Sequence, residues 1–441
     1  MLWPALLLAL PAIVQAALLH SHDNDGSHHV PQRLPTTWHH PEDHPVNALF
    51  KRGPTDGTDY PTVGSPTWSS AYPRSSPDVT QLPKEWVAAL DAAVAAGKIP
   101  NIPQSKNVPG VNPVYPNNLN PNGPEICSAT YKCVNSGDIW NAPDGTFATS
   151  FDDGPTPASP KLLQFLASNN EVATHFMIGV NILSYPQLFL ETFNSGNDIA
   201  VHTWTHPYMT TLSNLEIVAQ LGWTSEIIRN STGGRVPKYW RPPYGDSDNR
   251  VRAIAKEIFG LQTVIWNRDT LDWSVATGGT TPQKIHDNFV QWLGGPKSPG
   301  LMVLEHETSD GSVQAFMDAY TMIKPNGWRT GSLTRLVGDG NTYANSKDAN
   351  SSVQFDNILA GNSAPAPAPT SGNTTPAPLP SSAPSFAGNK TSSVTPTSSG
   401  QQQSAQTTSN AALPLVSRDV PWSASFSLSV PALLAVLAVL V

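Results

Sequence analysis

Between residues 146 and 336, short apolar, β-branched runs alternate with segments of helical period, and nothing else in the chain constrains its fold as much. The runs fall at 146–151, 172–178, 199–202, 239–240, 263–266, 301–304 and 333–336. Helical patterns such as SPKLLQFLASN from Ser159, NLEIVAQLGWTSEIIRN from Asn214 and NRVRAIAKEIFG from Asn249 lie between them. Alternation repeated this often specifies a βα-repeat fold, either an open parallel sheet or a barrel. The folded part, set at 105–345, is roughly 240 residues, the size of one (β/α) barrel. No G-x-G-x-x-G follows the first run, so a dinucleotide site is not supported.

The reactive side chains cluster where the runs end. Asp152 and Asp153 follow the first run and His202 ends the third, with His206 four residues on. Arg241 follows the fourth, Asp269 the fifth and His306 the sixth. Barrels place catalytic groups at the C-terminal ends of their strands. Adjacent aspartates alone usually mean a turn or cap, and H-x-x-x-H usually a solvated helix face. Their coincidence with successive strand ends is what carries weight.

His202 and His206, read as one helical turn apart, can present two imidazoles to one ion, and a carboxylate can complete the set. Two His and one Asp with an open position form a hydrolytic zinc arrangement. The other aspartate is then free to act as a base, with Arg241 keeping it ionised through a bidentate contact. His306 can donate a proton to a leaving group if a carboxylate such as Asp269 holds it as imidazolium. Backbone N–H groups of the 241–246 turn are candidate oxyanion donors.

The segments SFDDGP (150–155), HTWTH (202–206), RPPYGD (241–246), RDTLDW (268–273) and LMVLEH (301–306) resemble the five motifs of the NodB-type polysaccharide deacetylases, carbohydrate esterase family four. The resemblance covers about 146–336 and implies a distorted (β/α) barrel of the NodB type in a single catalytic domain. It implies metal-dependent removal of N-acetyl groups from a polysaccharide. By motif position Asp152 matches the base, Asp153, His202 and His206 the metal ligands, and Arg241 the residue holding the base. Tyr244 matches the oxyanion donor, Asp269 the partner of the acid His306, and Trp273 and Leu304 the walls of the acetyl pocket. Ser150 stands where threonine is common, and Glu307 where aspartate is common. His175 and His286 belong to no motif and are read as structural.

The ends carry other information. Residues 1–16 are apolar apart from Gln15, with small residues Val14 and Ala16 at a cleavage site, and read as a signal peptide. A His-rich pro-segment, 17–52, follows and ends at the dibasic pair Lys51-Arg52; a Pro-rich segment, 53–104, comes next. Residues 346–410 read as a Ser/Thr/Pro-rich stalk, and 411–441 as a glycosylphosphatidylinositol (GPI) signal expected to be removed, with Asn410 as the expected attachment residue. The terminal apolar run is shorter than a membrane-spanning helix requires. Asn230, Asn350, Asn373 and Asn389 head N-x-[ST] sequons, and Cys127 and Cys133 are close enough to close a small disulfide loop in an oxidising compartment.

With 25 Lys+Arg against 33 Asp+Glu and a net charge of −8, the chain has no electrostatic footprint for nucleic acid. Two cysteines exclude a disulfide-framework protein and a thiolate zinc finger. Processing site, stalk and anchor together look like those of a fungal wall protein, and RPPYGDSDNRVR is similar to the third motif of the chitin-acting members. The expectation is therefore a secreted, GPI-anchored, monomeric enzyme that uses Zn2+ or Co2+ to deacetylate N-acetylglucosamine units of chitin. An acetylxylan esterase, a peptidoglycan deacetylase and a catalytically silent carbohydrate-binding wall protein are the alternatives.

Overall fold

The computed structural model describes residues 54–361. The signal peptide, the pro-segment, most of the stalk with Asn373 and Asn389, and the anchor signal with Asn410 lie outside them. The described residues all belong to one compact unit, 1–369. Among them, no helix is long and apolar enough to cross a membrane.

Among the described residues, eight strands form one sheet: β1 (Thr146–Gly154), β2 (Thr174–Met177), β3 (Asp198–Val201), β4 (Tyr239–Trp240), β5 (Gln262–Thr263), β6 (Arg268–Asp269), β7 (Leu301–Leu304) and β8 (Arg329–Ser332). The order is β5-β4-β3-β2-β1-β7-β6, with β8 also on β1, and every strand pairing is parallel. β5 and β6 stand at opposite ends of this order, so the sheet is an open half-barrel. Parallel strands are covered on both faces, and β2, β3 and β7 are buried at every position, although only β7 (LMVL) is apolar throughout. The α/β half-barrel agrees with the fold expected from the alternation and the motifs.

Among the described residues, ten α-helices surround the sheet: α1 (Pro66–Ser70), α2 (Lys84–Ala95), α3 (Ser159–Ser168), α4 (Gly179–Ser184), α5 (Pro186–Asn194), α6 (Asn214–Ser231), α7 (Asn249–Phe259), α8 (Pro282–Leu293), α9 (Asp310–Ile323) and α10 (Leu333–Leu336). Local chemistry fixes their ends. A capping box of Ser213 and Glu216 starts α6, Asp248 caps α7, and Gly260 closes α7 in the left-handed conformation. The run at 333–336, expected as a strand, is the helix α10; its Leu333 and Leu336 are spaced i, i+3, and the pairing residues are those just before it.

Residues outside the expected boundaries at 105 and 345 pack into the same core as residues inside them. Trp68 of α1 and Trp86, Leu90 and Ala93 of α2 are buried in the same core as α6 and α7. Gly222 makes room for the Trp86 indole, since a Cβ there would meet it at 2.5 Å. Trp68 Nε1 donates to Ser231 Oγ at 3.0 Å. Beyond 345, Ala349, Ile358 and Leu359 join that core. A Pro-rich composition masked these sparse aromatics, each of which buries about 150–250 Å².

Candidate active site

Successive strand residues face opposite sides of a sheet, so Asp152 and Asp153 should diverge. They do not, because the β1–β2 register breaks between Asp152 and Gly154 and Asp153 takes φ 72°. Both carboxylates then face His202: its Nε2 lies 3.2 Å from Asp153 Oδ1 and 3.8 Å from Asp152 Oδ2.

His202 follows β3 directly, and His206 Nε2 is 3.1 Å from the same Asp153 Oδ1. The two histidines were expected one helical turn apart but lie instead on a loop. Positive φ at Thr203 (65°) and His206 (60°) brings their rings to 5.0 Å. Gln220 of α6 braces that loop, its Oε1 accepting from the N–H groups of Trp204 (2.8 Å) and Thr205 (2.9 Å). Trp204, between the ligand candidates, is fully buried, and its Nε1 donates to the Ser75 carbonyl of the N-terminal segment.

Arg241, immediately after β4, is fully buried. It holds Asp152 through one contact, Nη1 to Oδ1 at 2.6 Å, where a bidentate one was expected. Its Nη2 turns to Ser150 Oγ at 3.1 Å, and the guanidinium lies 4.2 Å over the Phe176 ring. The second oxygen of Asp152 thereby stays free to face the site.

On the other side of the cleft His306 follows β7. Its Nδ1 lies 2.6 Å from Oδ1 of Asp272, and its backbone N–H donates to Asp272 Oδ2 at 2.8 Å. Asp269, expected in this role, instead accepts from the Leu271 N–H. RDTLDW offers two carboxylates three residues apart, and the left-handed turn at Leu271 selects the second. Burial opposes charge on His306, but Asp272 outweighs it, helped by Asp153 and Asp152, and the pKa rises to about 9. Burial pushes the Asp269 carboxyl up.

Tyr244 sits at φ 58° in the turn after Arg241, its half-exposed ring stacked 4.0 Å from Tyr208 and edge-on to His206 at 4.7 Å. Trp273 is exposed, while Leu304 is buried in an apolar cluster with Trp266 and Met302. Cys127 and Cys133 are bonded to each other, and their loop braces the residue just after the third motif, with Ala129 N–H donating to the Ser247 carbonyl. Asn350 is exposed; Asn230, however, spends its amide on Tyr72 Oη (3.0 Å) and Glu226 Oε1 (3.1 Å), bonds that a glycan would replace.

Asp153, His202 and His206 offer one ligand atom each, all within 4.8 Å of one another. The Nδ1 of His202 is 2.7 Å from the Arg241 carbonyl, which can only accept. That bond makes Nδ1 the donor and turns Nε2 toward Asp153 Oδ1, which is buried with no hydrogen-bond donor. Convergent acceptors without a donor fit a divalent cation. Motif reasoning missed Asp272, Gln220 and the wholly buried Glu305, whose oxygens have no hydrogen-bond partner and whose carboxyl burial drives well up.

The family model for polysaccharide deacetylases matches residues 141–264. "Chitin deacetylase 3" of Cryptococcus neoformans (strain JEC21) is 41% identical over 340 residues, covering 74% of this chain and 79% of that one. "Chitin deacetylase 1" of Saccharomyces cerevisiae is 39% identical over 210 residues, covering 47% and 66%. The solved chitin deacetylase of Colletotrichum lindemuthianum is 27% identical with a TM-score of 0.43, covering 48% of this chain and 96% of its own. The chain belongs to the polysaccharide deacetylase family.

Proposed function

We propose that this chain hydrolyses the acetamido groups of N-acetylglucosamine units in cell-wall chitin, leaving chitosan and acetate. The observation that carries this reading is a base candidate held by an arginine and an acid candidate held by a carboxylate, on either side of an Asp–His–His ligand set. The names of the relatives supply the substrate.

A divalent ion, zinc or cobalt, held by Asp153, His202 and His206 would supply Lewis acidity, easing water deprotonation and polarising the acetyl carbonyl. Asp152, kept in place by Arg241, takes a proton from the attacking water as its oxygen bonds to the acetyl carbon. The backbone N–H of Tyr244 faces the developing oxyanion. His306, with Nδ1 committed to Asp272, gives its Nε2 proton to the nitrogen as the C–N bond breaks, releasing acetate and a free amine. Trp273 and Leu304 bound the acetyl methyl.

Secretion, GPI attachment at Asn410, glycosylation at Asn350, Asn373 and Asn389, and a monomeric state belong to the same reading and rest on the sequence. Acetate release from chitin oligomers and acetylxylan, measured side by side, tests the substrate. Release from chitin oligomers is expected, whereas release from xylan alone selects the esterase alternative. No release from either, with metal supplied, selects the silent wall-binding alternative.

A further inference from the structure

Glu307, the residue after His306, is fully enclosed, as are the two side chains its carboxylate reaches. Oε1 lies 2.7 Å from Nδ1 of His175 on β2, and Oε2 accepts from Ser159 Oγ of α3 at 2.5 Å. The main chain is tied as firmly. Glu307 N–H donates to the Asp152 carbonyl at 3.1 Å, and Asp152 N–H donates to the Glu305 carbonyl at 2.9 Å. The peptide carrying His306 is thus stitched to Asp152 on both sides. Thr156 Oγ1 adds a bond to the Glu307 carbonyl at 2.5 Å.

Gly154 explains how so long a side chain enters. A Cβ built there would lie 2.1 Å from Oε1 of Glu307 and 2.4 Å from Cδ, so this glycine is required by close approach. A buried carboxylate is kept only where its oxygens are hydrogen-bonded, and here β2 and α3 supply the donors. Asp272 sets the orientation of the His306 ring; Glu307 sets where its peptide stands against β1.

We propose that Glu307, locked by His175 and Ser159, is a positioning residue that fixes the spacing between Asp152 and His306. The proposal rests on reading those two as base and acid. Glu307→Asp withdraws the carboxylate by one C–C bond, about 1.5 Å. A displacement near 1 Å in an acid–base pair lowers turnover by about 10²-fold. Glu307→Gln keeps the length and both contacts, so it rescues most of what Glu307→Asp loses. Adding Gly154→Ala to Glu307→Asp fills the vacated space, so the double variant exceeds Gly154→Ala alone.

The test compares these full-length variants by kcat and KM on chitin oligomers, zinc affinity by calorimetry, and thermal midpoint. Glu307→Asp is expected to lower kcat about 10²-fold while KM and zinc affinity stay within about twofold of wild type. Unchanged kcat overturns the proposal, as does a joint fall in kcat, KM performance and zinc affinity, the mark of general loosening. A Glu307→Gln variant no better than Glu307→Asp overturns it too. If wild type releases no acetate, the acid–base reading fails, and crystal structures decide the positioning. A displaced His306 in Glu307→Asp then supports it, and an unmoved one overturns it.

Discussion

One cluster of buried carboxyl groups lies at the start of β3 and another at or just past the ends of β1, β3 and β7, and they are built on opposite rules. At the start of β3 the Asp198 carboxylate is fully buried and fully satisfied. Its Oδ2 accepts from Ser332 Oγ (2.6 Å) and Arg335 Nε (2.7 Å), and its Oδ1 from Arg335 Nη2 (2.9 Å). At the other end Asp153 Oδ1 has no donor, and neither oxygen of Glu305 has a partner. Burial is similar; satisfaction is not. The floor spends its polar groups on holding elements together, while the rim leaves buried carboxyl oxygens unpaired, as sites of chemistry do.

Asp152→Asn is expected to break the rim without touching the floor. Acetate release should fall by about 10²–10⁴-fold, the range for losing a general base, and the thermal midpoint should fall too, because the fully buried Arg241 loses its charged partner. Asp198→Ala should do the reverse. Leaving Arg335 without its buried partner is expected to cost about 3–5 kcal/mol in urea unfolding, with turnover per folded molecule retained.

Asp272→Asn sharpens the comparison within the rim. Because the pKa of His306 is raised to about 9, its imidazolium persists at lower pH and is lost as pH rises through that value. The alkaline limb of kcat should therefore lie near 9 and move down toward the ordinary histidine range in the variant. The same pairing stabilises the fold fully below the ordinary histidine pKa, and that stability is lost as pH rises through about 9. Asp269→Asn, which leaves the Asp272–His306 pair intact, should change kcat least, by no more than about tenfold, against the 10² or more typical of acid–base groups.

Strand alternation and the five motifs made the half-barrel and most of the rim readable from the chain, because a parallel sheet writes itself as apolar runs and places its chemistry at their ends. Three features were not readable, each because it depends on backbone or long-range geometry. The choice of Asp272 over Asp269 turns on the left-handed Leu271, and the convergence of His202 and His206 turns on Thr203 and the distant Gln220. The part played by residues 54–104 rests on a few tryptophans in a segment whose proline content suggests a linker. Floor residues such as Asp198 and Arg335 match no motif at all and meet only through folding.

The contrast between rim and floor stands on the rim being a metal-dependent hydrolytic site. The direct measurement is acetate release from chitin oligomers by chelator-stripped protein titrated with zinc. Activity should be absent at the start and rise to saturation at one ion per chain, with Asp153→Ala remaining silent throughout. Full activity in the stripped protein, or a zinc response that survives Asp153→Ala, would contradict it.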